Sequence, residues 1–277
     1  MKKKVSAVII TFNESYNLQR TLKQLYWCDE IIIVDSNSTD NSINICHEYD
    51  CKIYYKDFNG YGEQKNYAIS KAKNDWVLCI DADEYLTQEL IHELIKELEN
   101  TGENRGYQIP MNLVFRGHEF KYGRESYRHY TRLFDKRYCT ISMRRVHESF
   151  QITGTVKKLN NIILHYSYIN IHQFITKLNS YSTLGAEINV QNRKRKPQLL
   201  IYISLPFYFF KYYFFDGNFL NGKNGFYWST LSAFYHYAKY LKMQDIQTDN
   251  SLKITSLLNN SLIESFPSHH IIADTAS

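Results

Sequence analysis

Residues 76–84 read Trp-Val-Leu-Cys-Ile-Asp-Ala-Asp-Glu, and this stretch constrains the fold more than any other. Five apolar residues in a row describe a strand covered on both faces. Three carboxylates in the next four residues cannot stay inside such a core, because an unpaired buried carboxylate is very costly. The strand therefore ends at a crevice. Asp81 and Asp83 are two apart, so in extended backbone they share a side. Two hard oxygen ligands with open space opposite suit Mg²⁺ or Mn²⁺. The competing reading is a helix N-terminus beginning near Asp83 and Glu84, whose charges complement its positive end.

The residues around this stretch repeat a strand–helix pattern. Val5 to Thr11 is β-branched and apolar, and Phe12-Asn13-Glu14-Ser15 leads into a helix to about Tyr26. Glu30 to Val34 is a second strand ending at Asp35. The polar turn Ser36-Asn37-Ser38-Thr39-Asp40 supplies caps for a helix to about Tyr49. Lys52 to Tyr55 is a third strand, and Gly60-Tyr61-Gly62 opens a helix to about Ala72. Alternation of this kind predicts a parallel sheet with right-handed crossovers, and ligands outside the carboxyl ends of its strands. Thr11, Asn13, Glu14, Asp35, Asp81 and Asp83 all fall at those ends. Two glycines after the third strand do not make a dinucleotide fingerprint.

Charge is unevenly placed. The chain carries +5, yet residues 116–158 alone hold eleven Lys/Arg against four acids. A basic block opposite an acidic strand end points to an anionic ligand with a cation between them, or to a solvated basic face. The five cysteines form no CxxC pair and read as reduced thiols, not as a disulfide framework or a zinc site. Met1-Lys2-Lys3-Lys4 has the charge of an export signal, but the short apolar run after it reads as a first strand.

Four ordered motifs carry a resemblance. Val8-Ile9-Ile10-Thr11-Phe12-Asn13-Glu14, Ile33-Val34-Asp35-Ser36-Asn37-Ser38-Thr39-Asp40, Gln64-Lys65-Asn66 and Asp81-Ala82-Asp83 resemble the family 2 glycosyltransferases of the GT-A fold over residues 5–100. Arg132-Leu133-Phe134, Val146-His147-Glu148-Ser149, His165-Tyr166-Ser167-Tyr168 and the aromatic final third look like small transferases that add glucose or a similar sugar to lipopolysaccharide core. The resemblance implies an α/β, Rossmann-like mixed sheet flanked by helices, with an α-helical extension. It implies that Asp35 reads the nucleotide base, with Thr11, Asn13 and Glu14 lining the same pocket. Lys65 reaches base or phosphate, or is a solvated helix lysine. Asp81 contacts ribose and metal, and Asp83 ligates a metal that bridges the diphosphate. Arg132 holds the diphosphate, or is a surface arginine. Arg144 or Arg145 meets an anionic acceptor.

Inverting transfer needs a base on the acceptor hydroxyl, and such a base contributes roughly 10²–10⁴ in rate. Glu125, Asp135 and Glu148 stand in the basic block. Glu148 matches the family's acid, whereas Asp135 reads as a strand-end acid paired with Lys136 or Arg137. His165 closes the apolar run 162–164 and is either a further metal ligand or hydrogen-bonded structure. The implied reaction moves a hexose from a nucleotide-diphosphate sugar, UDP-glucose for example, to a lipid-linked envelope glycan, with no role for nucleic acid.

The sequence predicts three parts: a catalytic domain over 1–168, a helical extension over 169–243, and a flexible tail over 244–277. Residues 201–240 contain 17 aromatics, and Arg193-Lys194-Arg195-Lys196 stands just before them. The charge-free run Pro197 to Phe210 is 14 residues, short of the ~20 that a spanning helix needs. It reads as an interfacial helix on the cytoplasmic face of the inner membrane, or as a helical pair packed on the domain or on a second copy. Two other function classes remain at this point. A nucleotidyltransferase would carry a Gly-rich basic loop after the first strand, and this chain has an acidic one. A membrane scaffold with a degenerate site would not need the carboxylate pair.

Overall fold

The computed structural model describes residues 3–141, 150–168, 170–194 and 196–264. Two compact units divide these residues: 1–171 with 214–228, and 172–213 with 229–277. The sequence places the first boundary at 168, three residues earlier. It does not anticipate the return of 214–228 to the first unit.

In the first unit, four strands run parallel in the order β3 (Lys52–Tyr55), β2 (Glu30–Asp35), β1 (Val5–Thr11), β4 (Trp76–Asp81). Their connections are helices α1 (Ser15–Lys23), α2 (Ser42–Glu48) and α3 (Tyr61–Lys71). Both faces of the sheet are covered, which is why these strands lack polar alternation. Val5, Ala7, Ile9, Leu78 and Ile80 join one core cluster with Leu18 and Leu22 of α1. Val8, Val77 and Cys79 join the other, with Ala68 and Ile69 of α3.

Beyond β4 the sheet becomes mixed. β5 (Glu84–Leu86) and α4 (Gln88–Glu99) follow the acidic turn, and the Thr87 hydroxyl caps α4 by accepting from the Leu90 N–H at 3.2 Å. The long strand β6 (Asn104–Phe115) pairs antiparallel with the short β7 (His118–Glu119) and with β8 (Arg128–Asp135). β8 in turn pairs antiparallel with β4. A small separate ladder joins β9 (Cys139–Ile141) and β10 (Phe150–Ile152). β11 (Thr155–Lys158) and β12 (Ile163–Tyr168) run parallel to β6, and β12 takes β5 on its outer edge. Glu84 thus opens a strand, not a helix. None of the five cysteines is joined in a disulfide.

The second unit is helical. It holds most of α5 (Ile171–Gln191), then α6 (Gln198–Tyr202), α7 (Ser204–Phe210) and the greater part of α8 (Gly222–Glu264). Past Gln244, where the sequence reads as a short helix at most, α8 continues to Glu264. Ala186, Ile201, Tyr240 and Met243 form the core of this unit. The Tyr208 ring stacks on His236 at 3.8 Å, and the Tyr212 hydroxyl bonds His236 Nε2 at 2.6 Å. Among the described residues no helix is long and apolar enough to cross a membrane.

Candidate active site

Strand register assembles the site. Thr11 lies opposite Asp35, and Ile10 opposite Asp81, so three parallel strands end at one level. Antiparallel pairing of β8 with β4 sets Leu133 against Leu78, so Arg132 continues toward the Asp81 tip. Pairing of β12 with β5 sets His165 against Glu84. Asp81, Glu84, Arg132 and His165, far apart in the chain, meet there through strand pairing, with Asp83 in the turn between β4 and β5 and Lys65 carried in on α3.

Ion pairs bind the cluster. Lys65 Nζ stands 2.8 Å from Asp81 Oδ1, and Arg132 reaches Asp81 Oδ2 at 3.3 Å and Glu84 Oε1 at 2.5 Å. Lys65 and Glu84 are almost wholly buried. A buried charge is tolerable only when paired in this way. Burial would raise the Asp81 carboxyl, but Lys65 and Arg132 pull it well below the usual carboxylate range. Burial lifts Glu84 above its ordinary value against the pull of Arg132. Burial would lower the Arg132 guanidinium, and Glu84 and Asp81 outweigh it and keep it charged. Lys65 is therefore no solvated helix lysine, and Arg132 no surface arginine.

Asp83, at the other end of the turn, is more enclosed than Asp81, 15% against 30% exposed. His165 Nε2 stands 3.3 Å from Asp83 Oδ2, and Ser167 Oγ lies 3.0 Å from His165 Nδ1. Burial would lower the imidazole, but Asp83 beside it, with Glu84 and Asp81, lifts it to about 9. The turn itself is fixed by backbone contacts. Tyr166 N–H donates to Asp83 O at 2.9 Å, and Thr21 Oγ1 donates to Ala82 O at 2.7 Å. Among the described residues no preformed group of three or more His, Cys, Asp or Glu side chains is arranged to hold a metal. Asp83 and His165 are nevertheless a carboxylate and an imidazole side by side. With the His165 proton released, that partial donor set would suit a divalent ion whose remaining positions came from phosphate oxygens and water.

The loops at the tips of β1 and β2 are bonded to each other. Asn13, with a positive φ of 53°, accepts from Thr39 N–H at 2.8 Å through its side-chain oxygen. Ser38 Oγ accepts from Asn13 N–H, and Ser42 Oγ from Glu14 N–H, both at 2.9 Å. The Glu14 carboxylate holds Asn17 at 2.8 Å. Asp35 is fully buried, and its two oxygens accept from the Ser38 N–H (2.8 Å) and hydroxyl (2.5 Å). Asp35 therefore shapes the pocket through the Ser38 turn, and direct contact with a base requires that turn to open. Thr11 is buried at the same level, with no hydrogen-bond partner for its hydroxyl among the described residues. Asp135 pairs with Arg137 at 2.6 Å, the structural role its position predicts. Glu148, Arg144 and Arg145 lie outside the described residues.

Sequence reasoning passes over Glu84, whose pairing with Arg132 spans 48 positions. It also passes over Asn17 and Thr21, buried on α1, and Gln24, its buried C-cap. Their spacing of four and three was a visible signal: polar residues along one helical stripe, adjoining Leu18, Leu22 and Leu25. Arg20, on the same helix, lays its guanidinium 3.5 Å over the Tyr166 ring.

Parallel strands covered on both faces, a DxD turn after the fourth, and an antiparallel strand returning beside it define the GT-A class of nucleotide-sugar transferases. The chain belongs to glycosyl transferase family 2, whose sequence profile matches residues 6–151. It is 32% identical to an uncharacterized glycosyltransferase of Rickettsia prowazekii over 92% of this chain and 91% of that one. It is 29% identical to the lipopolysaccharide core biosynthesis glycosyltransferase LpsC of Rhizobium meliloti, over 86% of this chain and 91% of that one. Among solved structures it resembles TarS of S. aureus, with 17% identity, a TM-score of 0.46, and coverage of 76% of this chain and 44% of TarS.

Proposed function

We propose that the protein transfers a hexose, with inversion, from a UDP-linked sugar to a lipopolysaccharide-core or related envelope glycan. The observation that carries the reading is the split acidic turn. Asp81 is clamped by Lys65 and Arg132, while Asp83 pairs with His165, the two groups that a cation would recruit. Departure of a nucleoside diphosphate places growing negative charge at these strand tips. Lys65 and Arg132 sit within reach of that charge, preorganised by their ion pairs, so they need not reorganise as it develops. In this reading Asp83 and His165, with Asp81 behind them, hold Mn²⁺ or Mg²⁺. Such an ion would neutralise the diphosphate as a Lewis acid. Thr11, Asn13, Glu14 and Asp35 form the base end of the pocket, and Glu148 takes the proton from the acceptor hydroxyl. The likeness to LpsC supports the acceptor class. A lipid-linked acceptor places the enzyme at the cytoplasmic face of the inner membrane.

The test is release of UDP from a panel of UDP-sugars by purified protein with Mn²⁺, Mg²⁺ or chelator, with and without a core oligosaccharide acceptor. One donor is expected to be turned over, only with metal, and faster with acceptor. Glu148→Gln is expected to lose acceptor-stimulated turnover while keeping donor binding. Absence of hydrolysis or transfer from every donor overturns the reading.

A further inference from the structure

The segment 198–210 has the wrong surface for a protein in water. α6 and α7 bury one stripe: Ile201 and Ser204 are fully inside, and Leu205 and Tyr208 are half-buried. The spacing 201, 204, 205, 208 is one face of a helix. Ile201 joins the Ala186–Tyr240–Met243 core, and Tyr208 packs beside it, its hydroxyl 3.1 Å from that of Tyr240. The remaining face should be polar. Instead it carries Leu199, Tyr202, Ile203, Pro206, Phe207 and Phe210, and Leu199, Tyr202 and Phe207 are 68%, 62% and 60% exposed. A helix that is apolar all round is normally buried all round. Here the chain supplies cover for one side only.

Charge selects the occupant of the other side. Between Glu187 and Asp216 there is no acid, and there are five Lys/Arg: 193, 194, 195, 196 and 211. Cations thus flank the apolar face at both of its ends. Lys196 and Lys211 stand 5.5 and 5.0 Å from the rings of Tyr240 and Tyr212. An apolar protein partner needs no such one-signed border, whereas an anionic bilayer does, since its acyl region takes the apolar face and its headgroups take the cations. Tyr202 supplies the amphipathic ring suited to headgroup depth. The segment is too short to span and lies between two longer helices, so it rests in the plane of the surface.

We infer that α6 and α7 are an interfacial docking element. Leu199, Tyr202, Ile203, Phe207 and Phe210 enter one leaflet of a bilayer containing anionic lipid, and Lys194, Lys196 and Lys211 meet its headgroups. This deepens the peripheral-membrane part of the function proposed above without depending on the transfer chemistry. Lipid partition and nucleotide binding are separate measurements, and each can fail alone.

The full chain is sedimented with vesicles of phosphatidylcholine alone, or of equal parts phosphatidylcholine and phosphatidylglycerol, at low and high salt. Binding to the mixed vesicles is expected, weakened by salt and weak on phosphatidylcholine. Phe207→Ser with Phe210→Ser is expected to lower partition by at least about tenfold, with helical circular dichroism and UDP binding retained. Each Lys→Gln change at 194, 196 or 211 is expected to lower it about fivefold. Leu199→Trp is expected to gain fluorescence quenching by brominated phosphatidylglycerol. No binding to mixed vesicles, or binding indifferent to the Phe207/Phe210 changes, overturns the inference. So does a dimer in sedimentation velocity that those changes dissociate, since a second copy then covers the face.

Discussion

Three carboxylates of this chain do different work, and their surroundings assign it. Glu84 is sealed in the sheet beside Arg132, so removing it strands a buried guanidinium. Glu84→Ala is expected to destabilise the protein by about 3–5 kcal/mol in urea unfolding. Asp83 pairs with an imidazole and keeps 15% of its side chain exposed, so Asp83→Asn is expected to lower the urea midpoint much less than Glu84→Ala does. It is expected to cut turnover by at least about a hundredfold, the rate equivalent of a few kcal/mol of charge stabilisation. If both variants lose stability alike, Asp83 is a structural acid and the division made here is wrong. Asp40 shows a third use. Burial would raise its carboxyl, but hydrogen bonds from Ser42 and Ser15 hold it down, from 3.8 to about 2. A depressed carboxylate stabilises the fold above its unfolded value, and that contribution disappears as pH falls through the folded one. Asp40→Asn is therefore expected to flatten the pH dependence of stability between 3.8 and about 2, measured by denaturation at each pH.

At the scale of elements, most of β1 to β4 and their helices could be read from the sequence, because each is specified locally. Alternate residues of a fully covered strand are all apolar, and loop residues such as Asn13 and Asp35 stand where the strands stop. The second half of the sheet could not be read in the same way. Its order depends on β8 inserting between β4 and β6, and the β4–β8 pairing joins residues more than 50 apart that no local pattern encodes. The same long-range register hides the Glu84–Arg132 pair. A third acid after two others looks like one more solvated charge until its partner arrives across the sheet. The first turn of α8 is another element set by contact. A Cβ on Gly225 would stand 1.8 Å from the Asn218 carbonyl oxygen, so helix and turn approach there as only glycine permits. Gly225→Ala is expected to destabilise by about 1–3 kcal/mol, as overpacking against backbone does. A thermal midpoint equal to the parent's would show that the turn yields freely.

On the scale of the whole molecule, the site is complete in its charges but incomplete as a cation site. In the function proposed above, with Asp81 paired to Lys65 and Arg132, Asp83 and His165 would be the protein's main share of a coordination sphere. Two side chains bind a divalent ion weakly, and a diphosphate alone meets the carboxylates with no cation between. Each ligand therefore provides what the other lacks, and their binding free energies are coupled and reciprocal. Mn²⁺ alone is expected to leave the thermal midpoint unchanged, and UDP alone to raise it little. Together they are expected to raise it by the equivalent of about 2.7 kcal/mol at a hundredfold excess over the joint dissociation constant. Asp83→Asn is expected to abolish the joint effect and spare the small UDP response. In the proposed reading the loops at the tips of β1 and β2 take the base, so GDP, CDP, ADP and dTDP are expected to show smaller joint shifts than UDP. Equal shifts for all five nucleotides would mean that the Asp35–Ser38 turn does not read the base, and that selectivity comes from the sugar alone.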